Sequence, residues 1–129
     1  MGMSGCNAAS VPLEPRLKLS KKGNGMAVES SLYRSFIGAL CYLVDTRPDI
    51  CYMVGYLSRF MEEPASEHWS TVKHLLCYIA GTRSLGCVYT RQESKAKLVG
   101  YSNADMARDV DDRKRTSGVL HFYGQSPVS

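Results

Sequence analysis

Apolar residues recur at three- and four-residue spacing from about residue 30 to residue 80, and the period then shortens toward strand alternation. The first helix is predicted over about Ser30 to Val44. Leu32, Tyr33, Phe36, Ile37, Leu40 and Leu43 make one apolar face there. Ser30 or Ser31 is the expected N-cap. Gly38 weakens its middle by about 1 kcal/mol relative to Ala and reads as a site of close helix packing. Thr46-Arg47-Pro48-Asp49 is a break and a restart. Pro48 fits a first turn, where its missing N–H costs nothing, and Asp49 sits near the positive end of the new helix dipole. The second helix is predicted over about Pro48 to Met61, with Ile50, Met53, Val54, Leu57 and Phe60 on one face. Tyr52 and Tyr56, one turn apart, read as core or rim rather than as a base-stacking pair. Glu62-Glu63-Pro64 ends that helix. A third runs from Ser66 and Glu67 to about Ala80, with Trp69, Val72, Leu76 and Ile79 apolar and Gly81 as its stop.

Three segments then have strand composition: Gly86 to Thr90, Lys97 to Tyr101, and Ser117 to Tyr123, the last ended by Gly124. An acidic and then basic loop separates the second from the third. Residues 1–28 carry Pro12, Pro15, Gly23 and Gly25 with Lys18, Lys21 and Lys22, and show neither period. They read as an extended or disordered lead-in. The expected organisation is a linker at 1–28, a helical unit at 29–82 and strands at 83–129, an α+β chain with a short antiparallel sheet.

Composition narrows the class. With 129 residues the chain is long enough for one modest core, and 44% hydrophobic against 22% charged residues fits a globular protein. The net charge of +4 is uneven: residues 83–129 hold eight basic and five acidic side chains. That basic section is compatible with phosphate contacts, and a solvated surface is the plainer reading. The five cysteines are odd in number and form no C-x-x-C pair, which points to a reducing compartment and not to a disulfide framework. His68, His74 and Cys77 could suggest zinc, but no second ligand pair has the spacing, so they read as ordinary helix residues. The longest apolar run, Phe36 to Val44, is far short of the roughly 20 residues that span a bilayer. Met1-Gly2-Met3-Ser4-Gly5-Cys6 lacks the regions of a signal peptide and is only a faint lipidation pattern. The expected location is intracellular, cytoplasmic or nuclear, with no membrane partner.

One segment carries more information than the rest. Leu98-Val99-Gly100-Tyr101-Ser102-Asn103-Ala104-Asp105 leads into Asp109-Val110-Asp111-Asp112-Arg113-Lys114-Arg115-Thr116-Ser117-Gly118. Upstream stand Tyr33-Arg34-Ser35, Tyr42-Leu43, Thr46-Arg47-Pro48-Asp49-Ile50, Val54 to Met61, His68-Trp69 and Val72-Lys73. Ser126-Pro127-Val128-Ser129 would start a further strand. In this order the blocks resemble the Pol polyprotein of Ty1/copia-type plant retrotransposons, from the connection after the polymerase palm into the start of the ribonuclease H domain. The palm motif Tyr-x-Asp-Asp is absent. The resemblance implies an ancestral RNA-directed DNA polymerase and ribonuclease H. It also implies that the first Asp of Tyr-Ser-Asp-Ala-Asp is a catalytic metal ligand. Asn103 occupies that position here, and Asp105 is its loop-side neighbour.

Hybrid cleavage of this type uses two metal ions about 4 Å apart, and Mg²⁺ asks for hard oxygen ligands. Asn103 offers a carbonyl oxygen without charge. The remaining carboxylates of the family are expected beyond Ser129, so the chain is expected to be truncated, without an intact catalytic site, without an intact Mg²⁺ site and with no cofactor. Asp105, Asp109, Asp111 and Asp112 do not follow a Ca²⁺-loop pattern, and Arg113, Lys114 and Arg115 can neutralise them. Arg108 and Arg115 stand where the family has Gly and Ser, and Met106 where many members have Trp.

The expected function is that of a degenerate Pol fragment without catalysis, marginally stable alone, with an apolar sheet face and edges left uncovered. The alternative is a residual nucleic-acid-binding module that uses Arg59, Lys73, Arg113, Lys114 and Arg115 on an RNA–DNA hybrid or other nucleic acid, weakly. The ancestral partner is the rest of Pol. Similar fragments also carry the label of secreted RxLR effector-like interaction proteins, but Arg16-Leu17-Lys18-Leu19 is not Arg-x-Leu-Arg.

Overall fold

The computed structural model describes residues 7–14, 17–23, 25–91, 96–105 and 116–128, with the backbone alone at 103–105 and 116–117. The order is α1 (Ser30–Val44), a 3-10 turn (Pro48–Ile50), α2 (Cys51–Ser58), α3 (Ser66–Gly81), β1 (Leu98–Asp105), β2 (Thr116–Tyr123) and β3 (Ser126–Pro127). This is an α+β chain, as the change of period predicts.

The first helix occupies the predicted span. Tyr33, Ile37 and Leu40 are buried, Phe36 and Leu43 pack at the margin, and Leu32 is exposed. The predicted serine cap is corrected. Ser30 and Ser31 lie inside the first turn, Glu29 is the N-cap, and the Ser31 hydroxyl donates to Glu29 Oε1 at 2.6 Å. Gly38 is also not a packing site, because a Cβ there would meet nothing within 4 Å. Its helix-weakening cost therefore stands without a packing return.

The second helix begins as a 3-10 turn at Pro48–Ile50, where the missing Pro48 N–H costs nothing. Regular α-helical bonding starts at Cys51 and ends at Ser58, short of the predicted Met61. Ile50, Met53, Val54, Leu57 and Phe60 are all buried, the full predicted face. Tyr52 and Tyr56 stack on each other at 6.4 Å and 10°, with Tyr56 buried.

Helix α3 is rotated relative to the predicted face. Val72 is buried as expected, but its companions are His68, Thr71 and Leu75, while Trp69, Leu76 and Ile79 are half-buried. Rings join the helices. Trp69 meets Phe36 edge-on at 5.2 Å, Tyr56 meets Phe60 at 5.5 Å, and Phe60 stacks on His68 at 4.2 Å. The Tyr33 hydroxyl, fully buried, donates to the Leu57 carbonyl at 3.0 Å and ties α1 to α2.

The described part of the lead-in has bends at 10–13 and a turn at 21–22, and it is part of the core. Leu19 is buried, with Leu13 and Leu17 against the same cluster. The Leu19 N–H donates to the Tyr56 hydroxyl at 3.1 Å. Further on, Ala27 bridges Ala65, the Val28 N–H donates to the Pro64 carbonyl at 2.8 Å, and the Ser66 N–H donates to the Met26 carbonyl at 2.9 Å. Residues 17–23 and 25–28 thus form a strap across the entry to α3.

The sheet has the order β1-β2-β3 and is antiparallel throughout. Leu98 faces Tyr123 at one end of the first ladder and Asp105 faces Thr116 at the other. Gly124 turns β2 into β3 at φ 65°, a left-handed conformation in which a side chain is strained. The predicted strand at Gly86 to Thr90 is corrected: those residues are irregular, and β1 pairs with β2 instead. Alternation puts Leu98, Val119 and Tyr123 on one face and Val99 and Tyr101 on the other, and all five are exposed. The sheet meets the helical unit where Tyr52 approaches Gly118. A cavity of about 160 Å³ lies nearby, between Val44, Pro48 and Cys51 on one side and Val119 and Pro127 on the other.

Candidate functional site

The strand ending Tyr101-Ser102-Asn103-Ala104-Asp105 is positioned by its ladder. Asn103 lies opposite Gly118, and Asp105 closes the ladder opposite Thr116. Both residues therefore sit at the end of β1 that runs toward the charged segment. Arg113, Lys114 and Arg115 lie outside the described residues, as do Asp109, Asp111, Asp112, Arg108 and Met106. Arg59 is the C-cap of α2 and is half-buried, while Lys73 is exposed on α3. Those two cations belong to the helical unit, and Asn103 and Asp105 belong to the sheet.

The most developed polar constellation is elsewhere, at the restart of the second helix. The Arg47 guanidinium grips Asp49 with two hydrogen bonds, Nε to Oδ1 at 2.9 Å and a terminal nitrogen to Oδ2 at 2.8 Å. The same nitrogen donates to Thr82 Oγ1 at 2.7 Å, and the Tyr78 hydroxyl donates to Asp49 Oδ2 at 2.9 Å. The guanidinium also lies 5.8 Å from the Tyr78 ring centre, a cation–π distance. Hydrogen bonds from Arg47 hold the Asp49 carboxyl below its usual range, against a smaller opposing effect of partial burial. Burial, then the Asp49 bond, pushes the Tyr78 phenol up. The hydrogen bond to Asp49 raises Arg47 further. This is a charge-assisted clasp between the start of α2 and the end of α3. Its donors and acceptors are spent on one another, so it holds the fold rather than a ligand. Sequence reading assigned Asp49 to the helix dipole and missed the clasp. The available signal was Arg47 and Asp49 flanking a proline, facing Tyr78 and Thr82 one helical turn apart.

The zinc candidates are committed to other partners. His68 Nδ1 accepts the Ala65 N–H at 2.9 Å, which leaves Nε2 to donate to the Ser20 carbonyl at 2.9 Å. Ala65 has no side-chain acceptor, so this is half of a capping box. His74 Nε2 contacts the Val11 carbonyl at 3.0 Å. Cys77 is disulfide-bonded, a departure from the expectation of no disulfide framework, whereas Cys41, Cys51 and Cys87 are free thiols. Among the described residues no group of three or more His, Cys, Asp or Glu is placed to hold a metal ion. Among them, too, no buried side-chain nitrogen or oxygen lacks a partner, and no helix is long and apolar enough to cross a membrane.

Comparison with known proteins supplies the family. The chain is 41% identical, over 98% of its length, to the retrovirus-related Pol polyprotein from transposon TNT 1-94 of Nicotiana tabacum, of which it covers 10%. It is 38% identical, over 93% of its length, to the Pol polyprotein from transposon RE1 of Arabidopsis thaliana, of which it covers 8%. It is also 48% identical, over 75% of its length, to secreted RxLR effector protein 161 of Plasmopara viticola, covering 68% of that protein. The chain thus spans about a tenth or less of the length of the Pol relatives it matches. No family model matches, and no solved structure does. Matches along nearly the whole chain define the class as transposon Pol sequence. Within that class, the chain belongs to the copia-type retrotransposon Pol family.

Proposed function

We propose that this chain is a Pol segment that runs from the helices after the polymerase palm into the first strands of a ribonuclease H-like sheet, and that it does not cleave RNA–DNA hybrids. The observation that carries the reading is Asn103. It stands on β1, where the family resemblance expects an Asp that binds catalytic metal. Two adjacent divalent cations repel each other strongly, and anionic oxygens between them offset that repulsion. A carboxamide replaces one such anion with a neutral oxygen and an NH₂ group that turns a positive edge to the metals. Asp105, at the end of the same strand, is a single carboxylate and does not substitute for a set.

The test is incubation of the chain with labelled RNA–DNA hybrid and Mg²⁺. The expected result is no product above a no-protein control. Cleavage that disappears on Asp105→Ala would overturn the reading.

A second reading is favoured by the basic excess of residues 83–129. It is a weak nucleic-acid-binding segment that uses Arg59, Lys73, Arg113, Lys114 and Arg115. Binding of that kind weakens steeply with added salt. Absence of a gel shift of a hybrid duplex at low salt removes this reading. An RxLR-type role is not favoured. Arg16-Leu17-Lys18-Leu19 departs from the motif, and Leu17 and Leu19 are packed into the core rather than displayed.

A further inference from the structure

We propose that His68 is an acid-sensitive latch, and that its protonation releases the strap of residues 17–23 and 25–28 from the helical unit. The geometry allows one protonation state. His68 is fully buried, and both ring nitrogens are in use. Nδ1 is an acceptor, facing the N–H of Ala65. Nε2 is a donor, facing the carbonyl of Ser20 in the strap. The ring is stacked on Phe60 at 13°, and a half turn within that stack would break both hydrogen bonds. Gly23 closes the remaining side, since a Cβ there would reach Ala65 Cβ at 2.5 Å and His68 Cε1 at 3.3 Å.

A second ring proton would sit on Nδ1 and point at the Ala65 N–H. Two donors would then face each other in a site closed to solvent. The ring must leave to be solvated, and the Ser20 bond goes with it. Other attachments hold the strap as well, among them Leu17 and Leu19 at the core, the Ala27–Ala65 bridge and the bonds at Leu19, Val28 and Ser66, so the latch competes with them.

Among the described residues, charged groups border the site on several sides. On α3 itself, Glu67 Oε1 lies 3.8 Å from Nε2 and favours a charged ring, which opposes the latch. That carboxylate is partly solvated, and it faces the nitrogen that already carries a proton. On the strap side, Lys21 and Lys22 border a groove of about 510 Å³ with Glu62 and Glu63 across it. On the other side, Glu14, Lys18 and His74 line a second groove with Glu67. From α2 the ring meets Phe60, which is uncharged.

The sign follows from proton counting. The released form takes up a proton that the docked form excludes, so docking is complete at neutral pH and is lost as pH falls. A solvated histidine titrates near pH 6.5, so release gains roughly tenfold at pH 5.5.

Hydrogen exchange of the whole chain, read by mass spectrometry at pH 7.5 and 5.5 and corrected for intrinsic rates, tests the latch. The expected result is exchange about tenfold faster at pH 5.5 for the strap amides, with α1 still protected. His68→Gln keeps an acceptor and a donor but cannot titrate, and should abolish the difference. His74→Gln should preserve it. Equal strap protection at both pH values overturns the proposal. So does a strap unprotected at pH 7.5, acceleration shared with α1, or acceleration that survives His68→Gln. A ring ¹⁵N spectrum of the unmodified chain at pH 7.5 is an independent arm, because a proton on Nδ1 would also overturn it.

Discussion

Replacing Tyr33 by Phe removes one hydroxyl and almost nothing else. Tyr33 is fully buried, and its hydroxyl donates to the Leu57 carbonyl at 3.0 Å. The decisive detail is that this carbonyl has a second partner. The Phe60 N–H donates to it at 3.1 Å where α2 ends. Tyr33→Phe therefore loses a hydrogen bond without stranding a buried acceptor. The expected cost is about 1 kcal/mol, the net worth of one intramolecular bond, rather than the larger penalty of an unsatisfied group. For a unit of this size that lowers the melting midpoint by roughly 4–8 °C. Urea unfolding followed by circular dichroism and by Trp69 fluorescence would measure it, since Trp69 lies 6.4 Å from the Tyr33 ring. The same variant tests alkaline behaviour. Burial pushes the Tyr33 phenol above its ordinary value. A group raised on folding contributes stability that is present below its unfolded value, about 10, and lost as pH rises past it. Tyr33→Phe should therefore lose stability less steeply above pH 10. An unchanged urea midpoint, or a loss above about 3 kcal/mol, would refute the account of the Leu57 carbonyl.

Other outcomes follow from burial and charge. Leu75→Ala should cost about 2–5 kcal/mol because the side chain is fully buried, whereas Leu32→Ala on the exposed side of α1 should stay within about 0.5 kcal/mol, both read by urea titration. Asp49→Asn should cost no more than about 1 kcal/mol, since the Arg47 pair is partly exposed. The lowered Asp49 carboxyl contributes stability present above its unfolded value and lost as pH falls through its folded one, so the variant should be less acid-sensitive below about pH 4. Gly124→Ala should cost about 1–2 kcal/mol locally and loosen the turn into β3, visible as faster exchange of the Val128 amide.

The helices were legible because their apolar faces are local. The Ile50, Met53, Val54, Leu57 and Phe60 stripe was readable from spacing alone, and so was the span of α1. The third helix shows the limit. Its most apolar stripe runs through Trp69 and Leu76, yet the buried stripe includes His68 and Thr71, because polar residues with satisfied hydrogen bonds can be core. Spacing rules weigh residue type and cannot see the Ser20 carbonyl that makes His68 acceptable inside. Leu19 was missed for a related reason: an irregular segment has no period to betray its burial. The Gly86 to Thr90 segment has strand residues but no strand, since strand composition alone does not make a ladder and this segment does not pair with the sheet. Asn103 was legible as a substitution only against the family pattern, and the ladder adds its place opposite Gly118.

The strap also imposes an order on biosynthesis. Leu19 leaves the ribosome before its partner, since the hydroxyl that receives its N–H belongs to Tyr56, 37 residues later, and Ser20 waits 48 residues for His68. Contacts at that separation close slowly, after local helices have formed. The strap, made before the helices it docks on, is thus among the last segments to settle. Until α3 is complete, the nascent chain presents Leu17 and Leu19 to whatever else is nearby.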